Sequence, residues 1–191
     1  MTVIQLHAPK TDRAQPVPEA PGGVPVSEGL RKALRQLASG VSVITTGHAP
    51  KRTGFTATSV SSLSVDPARI TVSVNRASSS YYAIRDSGVF AVNFLRPHQI
   101  DIANRFAGRG GIKGEARFVD AEWDTLESGA AILVDALASI DCAVEELIER
   151  HSHTIVIGRV LATRHSDEGS ALLYWRGQYD PFEPDDFSAI A

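Results

Sequence analysis

The alternation of apolar and polar positions divides the chain into short elements. In "EGLRKALRQLAS" (28–39), Leu30, Ala33, Leu34 and Leu37 recur at spacings of three and four, the mark of an amphipathic helix. Ser27 stands where an N-cap belongs, and Gly40 where the helix ends. "VSVITT" (41–46) interleaves β-branched residues and reads as a strand. "GHAPKRTG" (47–54) is turn chemistry and predicts a hairpin. The returning strand is "TGFTATSVSSLS" (53–64), whose apolar positions Phe55, Ala57, Val60 and Leu63 keep no clean period of two. A bend or bulge is expected inside it.

Further on, "DPARITVSVN" is a turn into a strand at 69–75, and "SSSYYAIRDSG" is a serine-capped helix closed by Gly88. "VFAVNFL" (89–95) is a near-continuous apolar strand. "HQIDIANRFAG" is a helix with Ile100, Ala103 and Phe106 inward and Gly108 as C-cap. "RGGIKGEARF" (109–118) reads as a flexible loop, and the segment from Ile132 starts irregularly before a strand at about 138–148. "HTIVIGRVLATRH" (153–165) is a long strand with a bend at Gly158, and "ALLYWRGQYDPF" (171–182) is the last strand. About seven strands and three short helices, without regular βαβ alternation, predict a mainly β, antiparallel barrel with helices outside. Neither GxGxxG nor a P-loop occurs.

Composition bounds the class. With 191 residues, 43% hydrophobic and 21% charged, the chain suits one domain with a tail. The assigned extents are an N-terminal arm over 1–26, a domain over 27–182 and a C-terminal tail over 183–191. Five of the ten prolines and an adjacent glycine pair fall in the arm, which predicts disorder or loose docking. Net charge is −3, which argues against a nucleic-acid binder. Cys142 is the only cysteine, so neither an internal disulfide nor a CxxC zinc site exists, as suits a cytoplasmic protein. The N-terminus has no signal-peptide pattern, and no apolar run nears the about 18 residues of a membrane span. Of 19 cationic residues 15 are Arg, which fits either phosphate-binding forks or a GC-rich genome.

Five groups of residues carry candidate chemistry. Seven of the twelve positions in 53–64 are Ser or Thr; with Gly54 allowing close backbone approach, they form either a cradle for an anion or flat ring, or a polar solvent-facing strand. Ser78, Ser79 and Ser80 open a helix beside Arg76, which suits phosphate as well as simple capping. Arg105 precedes the inward Phe106 and either reaches a groove or lies on the surface. His151 and His153 on a strand would share one face at a metal-ligand spacing, yet no third ligand follows them. Tyr174, Trp175 and Tyr179 bracket Arg176 and Gly177, an arrangement for stacking or for core packing. No GxSxG elbow occurs. What remains is a binding surface for something flat and phosphorylated, with little acid–base machinery.

In order, "LRQLASGVSVITT", "TGFTATSVSSLSVDP", "YYAIRDSGVFAVNFL", "QIDIANRFAG", "IDCAVEELIERHSHTIVIGRV" and "LLYWRGQY" resemble the short-chain flavin reductases, the reductase components of two-component flavin-dependent monooxygenases. The resemblance runs from about residue 30 to 180. It implies a split β-barrel of Greek-key, FMN-binding type with a few short peripheral helices, assembled as a homodimer. It implies hydride transfer from NADH or NADPH to FMN or FAD, and delivery of reduced flavin to a separate monooxygenase. Arg52, Thr53, Gly54, Phe55, Thr56, Thr58 and Ser59 would then line the flavin, with Ser73, Val74 and Asn75 continuing the wall. Ser79 and Ser80 would hold phosphate, and Arg105 and Phe106 would close the site. His153 matches the histidine of the family's Gly-Asp-His turn beside the nicotinamide. Tyr174, Trp175, Arg176 and Gly177 would help hold the pyridine nucleotide. Here "HSH" (151–153) replaces Gly-Asp-His, which leaves a flavin-storing protein without turnover as the alternative. The resemblance explains the scarcity of acid–base groups: flavin and nicotinamide supply the chemistry and the protein stacks them.

Overall fold

Strands dominate the computed structural model, which describes residues 25–182. Most of the Pro-rich arm and the tail from 183 lie outside the described residues. The chain divides into two compact units between Arg35 and Gln36. The first contains helix α1, Val26–Leu34. It starts after Pro25, not after a serine cap, and leaves Leu37 outside the helix. Proline preset at about −65° is compatible with a helix start.

The second unit is built on seven antiparallel strands in the order β3-β2-β6-β9-β10-β5-β4. Their ranges are β2 Ser42–Thr46, β3 Thr53–Ala57, β4 Ser61–Ser64, β5 Arg69–Asn75, β6 Val89–Phe94, β9 Ala138–Arg150 and β10 His153–His165. The short β1, Ser39–Gly40, joins β11 (Ala171–Trp175) and β12 (Gln178–Phe182) in a three-stranded sheet, and β7 (Trp123–Thr125) pairs with β8 (Ala131–Leu133). Helix α2 covers Ser79–Ser87 and α3 covers Ile100–Phe106. The hydroxyl-rich run therefore divides: β3 lies at one edge of the large sheet and β4 at the other.

Strands from both sides of that sheet feed one core. Ala57 of β3 and Ile70, Val72 and Val74 of β5 pack with Ile44, Phe90, Val92, Cys142 and Val156. The sheet must curl for these residues to meet, which gives the split-barrel arrangement. A second cluster covers the outside of β2: Val43 packs with Leu95, Ala103, Phe106, Phe118 and Leu133. Strand β2 is thus buried on both faces, Ile44 inward and Val43 outward. At Gly158 the β9–β10 register shifts, as the sequence led one to expect. A Cβ there would stand 2.4 Å from Cζ of Phe90, so the glycine lets the Phe90 ring fill the barrel.

Several boundaries differ from the sequence reading. Residues 171–182 form a hairpin, not one strand, because Arg176 and Gly177 adopt φ of 51° and 91°. Such two-residue turns favour glycine or asparagine, and an arginine in the first place hid the turn. The segment read as a flexible loop holds two 3-10 turns, Arg109–Gly111 and Gly114–Phe118, and seats Phe118 in the outer cluster.

Burial pushes the Cys142 thiol from 9.0 up to about 12. Because the folded value lies above the unfolded one, the stability this thiol contributes is complete below about pH 9 and is lost as pH rises toward 12. The native thiol is therefore expected to resist a disulfide-exchange reagent at pH 8 and to react with it once urea unfolds the chain. Stoichiometric reaction of the native protein within minutes would contradict this burial.

Candidate functional site

The β2–β3 hairpin sets the first wall. Thr53 and Gly54 pair with Thr46 and Thr45, and both are buried. A Cβ on Gly54 would lie 2.3 Å from the carbonyl oxygen of Ile44 and 2.8 Å from the Phe106 ring. The glycine is therefore demanded by the neighbouring strand and by Phe106, which occupies the side expected to admit a ligand. The Gly54 carbonyl accepts from Ser80 Oγ at 3.2 Å and from the Arg117 guanidinium. Burial lowers the Arg117 pKa below its ordinary value, yet an arginine stays charged at physiological pH. The Thr53 hydroxyl is buried without a protein partner.

Beside this buried back, six of the other candidates are exposed: Thr58, Ser59, Ser73, Asn75, Ser79 and His153. Thr56 donates to the Ala103 carbonyl at 2.6 Å, tying β3 to α3. Ser59 donates to the Ser73 carbonyl at 3.3 Å and ties the β3–β4 link to β5. Val74 and Phe106 are core residues and Phe55 is half-buried. Ser78 caps α2 by accepting from the Ser80 N–H at 3.1 Å, a bond worth about 1 kcal/mol. His153 opens β10 directly opposite Asn75. Ser152 Oγ lies 2.9 Å from its Nδ1.

Other candidates stand apart from these. Arg105 donates to the Val119 carbonyl and pairs with Asp120 at 3.2 Å. It lines a separate 360 Å³ hollow with His98, Asp120 and Asp135. Arg52 pairs with Glu115 at 2.7 Å and lies over the Phe118 ring at 4.2 Å. Tyr174, Trp175, Arg176 and Gly177 belong to the β11–β12 hairpin, where Arg176 lies over Trp175 at 4.4 Å and both side chains donate to Gln36. His151 sits in the β9–β10 turn and only His153 on the strand, so the two do not share a strand face. Among the described residues, no group of three or more His, Cys, Asp or Glu is placed to hold a metal ion.

A family model, "Flavin reductase like domain", matches residues 34–183. The chain belongs to this flavin reductase family. It is 35% identical to an FMN reductase (NADH) RutF 2 of Rhizobium rhizogenes over 162 residues, covering 85% of this chain and 92% of that one. It superposes with a TM-score of 0.76 and 28% identity on an NADH:FAD oxidoreductase of Streptomyces globisporus in complex with NAD and FAD fragments, covering 84% and 94%. The flavin reductase component of a bacterial two-component tryptophan halogenase gives a TM-score of 0.76 at 29% identity, covering 83% and 99%.

The residues of this flavin reductase suit a flavin. A buried hydroxyl without a partner at Thr53 and several exposed hydroxyls offer hydrogen bonds to polar ring edges and a ribityl chain. Sequence reasoning singled out neither of two residues that bond into this region. Arg117, not Arg105, is the arginine that reaches β3, and it comes from a glycine-rich loop without periodicity. Glu149, which the sequence did not single out, gathers Arg76 and Tyr81.

Proposed function

We propose that this chain oxidises NADH, reduces FMN, and passes reduced flavin to a separate oxygenase component. The observation that carries the reading is the family match over residues 34–183, joined by relatives named FMN reductase (NADH). FMN is favoured over FAD because these relatives, at 34–35% identity, are more similar than the 28% identical FAD enzyme. Delivery to an oxygenase is supported by similarity to a nitrilotriacetate monooxygenase component B, at 31% identity.

When bound, the flavin supplies the hydride-accepting ring. The protein's residues bind and orient. In this proposal Thr53 and the β3 backbone hold the ring edge, and Thr58, Ser59 and Ser73 hold the chain that leads to phosphate at Ser79 and the start of α2. His153 orients the nicotinamide carboxamide from the end of β10, across from Asn75. Holding two reactants in register lowers the barrier in such a site. A homodimer belongs to the proposal. The outward face of β5 and β10 carries exposed Ile155 beside Ser73, an apolar side chain that a second copy would cover.

An assay of NADH and NADPH against riboflavin, FMN and FAD tests the function; no flavin-dependent loss of nicotinamide absorbance with any pair would overturn it. His153→Ala is expected to raise the KM for NADH by about tenfold and leave the KM for FMN within about twofold. A storage protein would bind flavin with no nicotinamide oxidation and would be indifferent to that substitution.

A further inference from the structure

His153 is placed by a turn whose backbone is unfavourable. His151 and Ser152 form the two-residue loop between paired Arg150 and His153, and His151 adopts φ of +49°. Loops of this length put glycine where φ is positive, and a side chain there is disfavoured. Contacts from beyond the two-residue turn offset that cost.

Arg76, at the junction of β5 and α2, makes them. Its backbone N–H donates to the Ser152 carbonyl at 3.0 Å, and its Nη1 donates to the His151 carbonyl at 3.4 Å. Its Nη2 pairs with Glu149 Oε2 at 2.8 Å. The other oxygen of Glu149 accepts from Tyr81 OH at 2.5 Å, and Tyr81 is buried in the barrel core. The carboxylate is thus fixed from α2, the guanidinium from the carboxylate, and both turn carbonyls from the arginine. These residues line an open 520 Å³ cleft beside the turn.

We propose that Tyr81, Glu149 and Arg76 form a clamp that positions His153, and that this clamp replaces the conformational freedom that glycine would give at position 151. The inference rests on the reductase reading for its kinetic effect. Arg76 is a positioning residue: it acts on the nicotinamide through the turn. Lysine cannot substitute, because one ammonium does not present the planar fork that bridges Glu149 and the His151 carbonyl. Only part of the clamp is side chain, so the Arg76 N–H bond to Ser152 persists in any variant.

Steady-state kinetics of the full chain test it. Arg76→Ala is expected to raise the KM for NADH by about tenfold while the KM for FMN moves less than about twofold. Tyr81→Phe keeps the ring in the core and removes only its donor to Glu149, so it should shift the same parameter by a smaller factor. His151→Gly in the Arg76→Ala background should restore most of the loss, a coupling that separate effects would not show. Amide exchange at residues 151–153 gives a readout independent of turnover: faster in Arg76→Ala, and slowed again in the double variant. Equal rises in both KM values, or no recovery with His151→Gly in either readout, overturns the clamp. Absence of turnover in the unsubstituted chain overturns the reductase reading instead, and amide exchange then decides the clamp alone.

Discussion

Gly54→Ala is expected to destabilise the protein by about 3 kcal/mol, the upper end of the overpacking range, and to abolish flavin binding. The first obstacle to the new methyl is the Ile44 carbonyl oxygen at 2.3 Å, which belongs to the backbone of the paired strand. The second is the Phe106 ring at 2.8 Å. A side chain can turn away, but a carbonyl in a strand ladder cannot move without breaking the ladder. Strand β3 must therefore lift from β2, carrying Thr53 with it and breaking the Gly54 bonds to Ser80 and Arg117. Phe106→Leu should not rescue the variant, because it relieves only the second obstacle. Urea unfolding with flavin-fluorescence titration measures both effects. A Gly54→Ala protein with an unchanged midpoint and normal flavin affinity would show that β3 does not sit against Ile44 as described.

How far such details could be read from sequence depended on whether local chemistry or distant packing decided them. Strands β5 and β10 match their expected limits of 69–75 and 153–165, because β-branched runs there are bounded by turn residues. Helix α2 was legible at both ends, since Ser78 caps it and Gly88 adopts the left-handed conformation that ends it. By contrast β7 and β8 are three residues each, too short for any period to register. Of the candidates, those on β3, β5 and the start of α2 were named as a series, and Ser59 bonds to Ser73 and Ser80 to Gly54 across them. Arg117, which donates to Gly54, was not named. Position 105 follows helical periodicity and 117 follows none, so choosing between them requires knowing where the loop folds back. Gly54 was singled out for a sound reason, its missing Cβ, but its neighbour there is Phe106, a contact 52 residues away in the chain that no local pattern announces.

Asn93 is where the barrel and its outer layer are joined, and Asn93→Ala is expected to cost about 3–5 kcal/mol. The residue lies on β6 and is fully buried. Its Nδ2 donates to the Val43 carbonyl at 3.2 Å and stands 3.5 Å from that of Ala131. Its Oδ1 accepts from the Leu133 N–H at 2.8 Å and from Ser139 Oγ at 2.9 Å. One amide thus satisfies groups on β2, β8 and β9. Truncation strands the Leu133 donor and the Ser139 hydroxyl away from water, each at a penalty of about 1–3 kcal/mol. Asn93→Asp keeps the acceptor and the size, but it exchanges the donor for an oxygen facing the Val43 carbonyl and buries a charge. It should therefore be no better than alanine at neutral pH, and it should regain stability as acid protonates the carboxyl and restores a donor. The same substitution at an exposed strand position would show neither effect. Equilibrium unfolding in urea at pH 7 and pH 5 separates the cases: an Asn93→Asp variant as stable as the parent at pH 7 would mean that water, not the β2 carbonyl, meets this side chain.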